Sequence, residues 1–230
     1  MVWIILIGFM LLSWIVSSRL KNKFRKYSQI PLQSGMSGAD VARQMLRDNR
    51  IYDVEITCVP GSLTDHYNPA NKTVNLSEAV YHGRSAASAA IAAHECGHAV
   101  QHATAYSFLE MRSALVPIQN ASSKIMNYVF LFSLFGGIFF FSLPIQIVLL
   151  IYIAGYAIFS IFSLITLPVE IDASKRALAW IDERGVVSAS EYDMSKDALK
   201  WAALTYVVAA LSSITMLFYF VLQYLGMSDD

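Results

Sequence analysis

The chain has 230 residues with 17 basic and 17 acidic side chains, so its formal net charge is zero and no basic excess points to a nucleic-acid partner. Hydrophobic residues make up 56% of it and the mean hydropathy is +0.47, which excludes an ordinary soluble domain and indicates a membrane protein. Two cysteines, Cys58 and Cys96, are too few for a disulfide framework and read as reduced thiols facing a cytosol.

Residues 2–16 are apolar except for Ser13 and are barely long enough to cross a bilayer. No positive charge precedes them and no small-residue cleavage site follows, so they do not read as a cleavable signal peptide. Arg19, Lys21, Lys23, Arg25 and Lys26 come next, a cluster that the positive-inside rule keeps in the cytoplasm. From Tyr27 to Lys124 the composition is that of a water-facing segment. Ser37 is placed to cap a helix running to about Asn49, with Val41, Met45 and Leu46 facing a core. Residues 54–59 alternate and stop at Pro60-Gly61, and residues 72–77 follow a second turn at Asn68 to Asn71. A β-hairpin is therefore expected there, with irregular loop as the alternative for such short runs.

Residues 127–167 carry no charge, and their length suffices for two crossings with a tight turn at Pro144 and an end at Pro168. Charged residues return over 169–200, residues 201–225 are apolar again, and the chain closes on Asp229 and Asp230. All 17 Lys and Arg residues lie in 19–124 (12 of them) and 168–200 (5), none in the apolar stretches, at either end or at the Pro144 turn. This asymmetry predicts a mainly α membrane protein with about four transmembrane helices. The spans are helix 1 in residues 1–18, a hairpin of helices 2 and 3 in 125–167 and helix 4 in 201–226, with both polar segments in the cytoplasm.

The polar segment 19–124 contains His94-Glu95-Cys96-Gly97-His98, the pattern H-E-x-x-H, in an Ala-rich stretch without proline. On a helix the two histidines sit one turn apart on one face and can grip a single zinc ion, with Glu95 beside the metal to take a proton from zinc-bound water. Two surface histidines on an ordinary helix are the bland alternative. A zinc hydrolase needs a third protein ligand and an open position for water. Thr104 stands where a metzincin would have its third histidine, and His102 lies two turns from His94, as a surface or supporting residue. Glu170, in the other cytoplasmic segment, is the better candidate, since two imidazoles and a carboxylate leave Zn²⁺ with net charge +1. Alternatively, Glu170 and Asp172 mark a helix N-terminus after Pro168.

Three motifs together resemble the YugP-type bacterial membrane zinc metallopeptidases: His94 to His98; Leu63-Thr64-Asp65-His66-Tyr67-Asn68-Pro69; and Pro168-Val169-Glu170-Ile171-Asp172-Ala173-Ser174. The likeness runs from about Ser37 through the last apolar segment. It implies a zincin-like α+β catalytic unit, one zinc ion on His94, His98 and Glu170, and Glu95 as catalytic acid/base. It further implies peptide or protein substrates and a place in a bacterial plasma membrane, where the basic residues put the site on the cytoplasmic side of a multi-pass chain. More distantly the chain is similar to the HtpX-type and CAAX prenyl protease gluzincins. Those usually carry an acid four residues after the glutamate ligand, to orient a zinc histidine. Here that position is Ser174, and Asp172 stands two residues after Glu170, pointing away from it on a regular helix.

The expected reaction is peptide-bond hydrolysis, in which Glu95 accepts a proton from water and returns it to the leaving amine. His66, Tyr67, His82 and Tyr192 are candidate oxyanion donors by residue type, and a substrate strand is expected beside residues 72–77. Two rivals stand beside this reading. A site-2-type intramembrane protease would carry the motif inside a spanning helix, yet residues 85–106 hold Glu95, three histidines and Gln101 with Ala as filler. A non-catalytic zinc-binding scaffold would not require a base next to His94.

Overall fold

A computed structural model describes residues 2–135 and 144–227. The expected second crossing runs into residues 136–143, which lie outside the described ones, as do the residues just before Pro144 and the tail Asp229-Asp230. Within the described residues the elements in chain order are α1 (Val2–Ser28), α2 (Gly38–Asp48), β1 (Glu55–Val59), β2 (His66–Asn68), β3 (Thr73–Ser77), α3 (Glu78–Tyr81), α4 (Ala86–Ala103), α5 (Ser107–Phe135), α6 (Ile145–Glu183) and α7 (Ala189–Gly226). Among the described residues three helices, α1, α6 and α7, are long and apolar enough to cross a membrane. The helix α4 that carries H-E-x-x-H is not one of them.

The chain divides into two compact units. The first comprises Met1–Ser13, Met111–Leu167 and Tyr206–Asp230. It exposes many large apolar side chains, among them Ile4 (75% exposed), Leu222 (66%) and Phe218 (63%). Side chains of this kind left outside a core need hydrocarbon around them, as a bilayer provides. Inside, Tyr152 stacks on Phe220 with ring centroids 4.7 Å apart.

The second unit, Trp14–Glu110 and Pro168–Thr205, is the α+β part. Ser37 caps α2 as expected: its hydroxyl accepts from the Asp40 amide while the Asp40 carboxylate accepts from the Ser37 amide. Val41, Met45 and Leu46 of α2 are buried against Val74 and Leu76 of β3. Burial of side chains this size contributes roughly 1.5–3 kcal/mol each. The same core takes in Ala177, Trp180 and Ile181 of α6 and Leu199 of α7. At its centre lies α4, whose alanines at 86, 89, 90, 92, 93 and 99 are almost wholly buried and let neighbouring elements approach closely.

The sheet corrects the expected hairpin. The two strands read from the sequence, β1 and β3, are neighbours but run parallel, Glu55 opposite Thr73 and Val59 opposite Ser77. The hairpin partner of β3 is the three-residue β2, antiparallel with Tyr67 opposite Val74. A parallel pair needs a crossover, and here residues 60–72 supply it, with β2 inside them. Strand β3 is thus central in the order β1-β3-β2, and both of its sides are taken. A substrate strand cannot add beside residues 72–77.

The helix ends also differ from expectation. Pro168 does not end a helix, since α6 runs through it to Glu183. Proline lacks the amide that would reach back one turn, but a helix packed against neighbours tolerates that loss. Likewise α7 begins at Ala189, twelve residues before the apolar stretch. Glu170 and Asp172 are therefore interior helical residues and mark no helix N-terminus.

Candidate metal centre

Helix α4 starts at the Ser85 cap, whose hydroxyl accepts from the Ser88 amide. From that start the helical period brings His94 and His98 to one face, ring centroids 4.8 Å apart and nearly perpendicular. Glu170 of α6 faces both: its Oε2 lies 3.2 Å from His94 Nε2 and 3.5 Å from His98 Nε2. One ligand-type atom from each of the three residues falls within 4.8 Å of the others. Glu170 is only 2% exposed, and a carboxylate so deeply buried requires positive partners.

Close approach of the two helices depends on Gly97. A Cβ there would stand 2.6 Å from the Ala173 carbonyl oxygen and 3.1 Å from the Ala173 Cα, atoms of the α6 backbone. The glycine inside the motif thus lets α6 come near enough for Glu170, one turn before Ala173, to meet the histidines. Beside them, Glu95 is nearly buried and its Oε2 accepts from the Tyr67 amide of β2 at 3.0 Å.

Each imidazole has a partner on its other nitrogen. His94 Nδ1 is 3.1 Å from Ser174 Oγ, so the serine four residues after Glu170 touches the His94 ring. His98 Nδ1 is 3.0 Å from Gln101 Oε1, and Gln101 Nε2 donates to Asp172 Oδ2 and to the Val169 carbonyl, each at 2.8 Å. Asp172 also accepts from Arg176 Nε at 2.6 Å and reaches the site through Gln101. His98 is pulled two ways. Burial disfavours its charged form, but the hydrogen bond and charge of Glu170 outweigh this, with Glu95 and Gln101 adding to them, and its pKa rises above the ordinary value. Surroundings that favour positive charge on His98 suit a bound cation equally, and two imidazoles with a carboxylate are a zinc-type donor set.

The other candidates are elsewhere. His66 Nδ1 binds the Thr64 carbonyl, His82 meets Tyr81 edge-on, and Tyr192 packs against the core; none belongs to the three-residue cluster. Tyr67 is the exception among the four, through its amide on Glu95 and its hydroxyl 2.7 Å from Nδ1 of the exposed His102. The sequence marked Gln101 only as a polar side chain on the motif helix, although its place three residues after His98 puts it on the same helix face. Cys96 is fully buried; burial above all, then the charge of Glu95, pushes its thiol pKa up. Both cysteines are free.

A helix bearing H-E-x-x-H, a facing glutamate on a second helix and membrane-length apolar helices define a membrane-associated, zinc-coordinating protein of the peptidase class. Residues 2–225 match the family described as "Putative neutral zinc metallopeptidase", and the chain belongs to that family. Among curated proteins it is similar to "Putative membrane protease YugP" of Bacillus subtilis (strain 168), with 42% identity over 219 residues, 95% of this chain and 94% of that protein. No solved structure matches the chain.

Proposed function

We propose that the protein is a membrane-anchored zinc endopeptidase that cleaves protein or peptide substrates, with His94, His98 and Glu170 as the ligands of one zinc ion and Glu95 as the general base. The convergence of one donor atom from each of these three residues within 4.8 Å carries the reading. When bound, the metal would supply a Lewis acid for the scissile carbonyl and acidify a water. Glu95 would take a proton from the attacking water and deliver it to the leaving amine. The Tyr67 amide holds the Glu95 carboxylate in place for both transfers. An extended substrate would meet β2, the sheet edge whose Tyr67 already reaches Glu95.

The same proposal gives the chain four spans, in residues 1–18, 125–167 (two) and 201–226. Segments 19–124 and 168–200 then lie together on the cytoplasmic side of a bacterial plasma membrane, as the distribution of basic residues favours. An intramembrane protease of the site-2 type is disfavoured, because α4 is not among the membrane-length apolar helices.

The two glutamates separate experimentally. Glu95→Gln should keep zinc and lose two to four orders of magnitude in casein hydrolysis, on the order expected for general-base catalysis. Glu170→Ala, His94→Ala and His98→Ala should all lose zinc, with activity falling as a consequence. Full zinc occupancy in purified Glu170→Ala would remove it from the ligand set.

A further inference from the structure

We propose that Gln101 is the positioning residue for His98: held by Asp172 and the Val169 carbonyl, it fixes the imidazole in the tautomer that turns a lone pair toward Glu170. The inference rests on the reading of His98 as a metal ligand. Gln101 is wholly buried, so its amide must find its partners within the protein. Its two N–H hydrogens are both used, on the Val169 carbonyl oxygen and on Asp172 Oδ2. Neither the carbonyl nor a carboxylate paired with Arg176 has a hydrogen to give. Exchanging the oxygen and nitrogen of the amide would set Oε1 against two acceptors and leave the amide's hydrogens pointing at His98. The amide therefore has one orientation, with Oε1 toward His98 Nδ1 at 3.0 Å. Oε1 can only accept, so Nδ1 carries the hydrogen. In the neutral ring Nε2 then bears the lone pair, and Nε2 is the nitrogen that faces Glu170.

Asp172 thus does through Gln101 what an acid elsewhere would do by touching the histidine. A carboxylate two residues after Glu170 leaves the helix on a different face and cannot reach the ligand histidine itself. The glutamine on α4 spans that gap: two hydrogen bonds tie it to α6 and a third holds the His98 ring. Partners of this kind on the far nitrogen of a metal-binding histidine orient the ring and raise its basicity, and their removal typically costs 10–100-fold in metal affinity.

The test compares zinc dissociation constants, from chelator competition, and the visible spectrum of the cobalt-loaded protein across variants of the full chain. Gln101→Met keeps the bulk but leaves the His98 Nδ1 hydrogen without an acceptor. It should bind zinc about 10–100-fold more weakly and shift the cobalt bands. Asp172→Leu frees one amide hydrogen and should weaken zinc in the same direction, while Asp172→Asn, which can still accept from Gln101, should restore affinity to within about threefold of the parent. Asp172 is partly exposed, so its variants serve if Gln101→Met does not fold. Parental affinity and cobalt spectrum in both Gln101→Met and Asp172→Leu, with zinc lost in His98→Ala, would overturn the positioning role alone. Parental affinity in His98→Ala would overturn the ligand reading beneath it.

Discussion

Gly97 shows how much one hydrogen atom in place of a methyl can decide. Its neighbours across the helix contact are backbone atoms of Ala173, which cannot swing aside as a side chain can. Gly97→Ala must therefore separate α4 from α6 by several tenths of an ångström, at a cost of about 1–3 kcal/mol for overpacking. The gain in helix propensity, about 1 kcal/mol, offsets only part of it. Thermal unfolding should show the net loss, and chelator competition should show weakened zinc binding in the protein that still folds. Unchanged affinity would mean that the distance from Glu170 to the histidines does not depend on this contact. At this scale the sequence was legible where chemistry has a fixed spacing: His94 and His98 stand four residues apart on one helix, with Glu95 between them. The reason for Gly97 was not legible, since a weak helix former inside a helix acquires a purpose only once the facing backbone is known. Gln101 was hidden similarly, because its role depends on three acceptors and donors brought by two elements.

At the scale of elements, caps and faces were readable and pairings were not. Ser37 and Asp40 satisfy each other's amides at the start of α2, and replacement of Ser37 by alanine should cost about 0.5–2 kcal/mol. The Asp40 carboxyl lies below its ordinary pKa, first through the Ser37 hydroxyl and then through the Ser37 amide. A depressed carboxylate pKa lends stability above the unfolded value and loses it as pH falls through the folded one. The gap in melting temperature between the parent and Asp40→Ala should accordingly be widest near neutrality and shrink below about pH 4. A gap independent of pH would place the cap's worth elsewhere than in that charge. The parallel register of β1 and β3 could not be read, because two short alternating runs look the same whichever way they pair. Three-residue β2 carries no period at all. Helix ends were misjudged for a related reason: hydropathy marks where a bilayer would stop, whereas α6 and α7 continue into charged residues, and Pro168 interrupts one hydrogen bond without ending the helix.

Across the whole molecule, the proposed orientation rests on where the basic residues lie, and the protein carries its own probe for it. Cys58 is exposed on β1 in the same unit as the metal centre, and Cys96 is buried on α4. A thiol with a raised pKa and no access to solvent reacts slowly, so alkylation of the native protein should fall on Cys58 alone. Denaturation should then expose Cys96 to the same reagent without prior reduction, since both thiols are free. With labelling confined to one site, sidedness follows from the reagent. A membrane-impermeant maleimide added to intact protoplasts should leave Cys58 unmodified, and a permeant one should label it. The impermeant reagent should succeed once the protoplasts are opened. Labelling of Cys58 from outside, before opening, would put residues 19–124 on the outer face. Because Glu170 meets His94 and His98 within one unit, residues 168–200 would have to be there too. The whole orientation would then invert together, against twelve basic residues in one segment and five in the other, while the metal centre itself stayed intact.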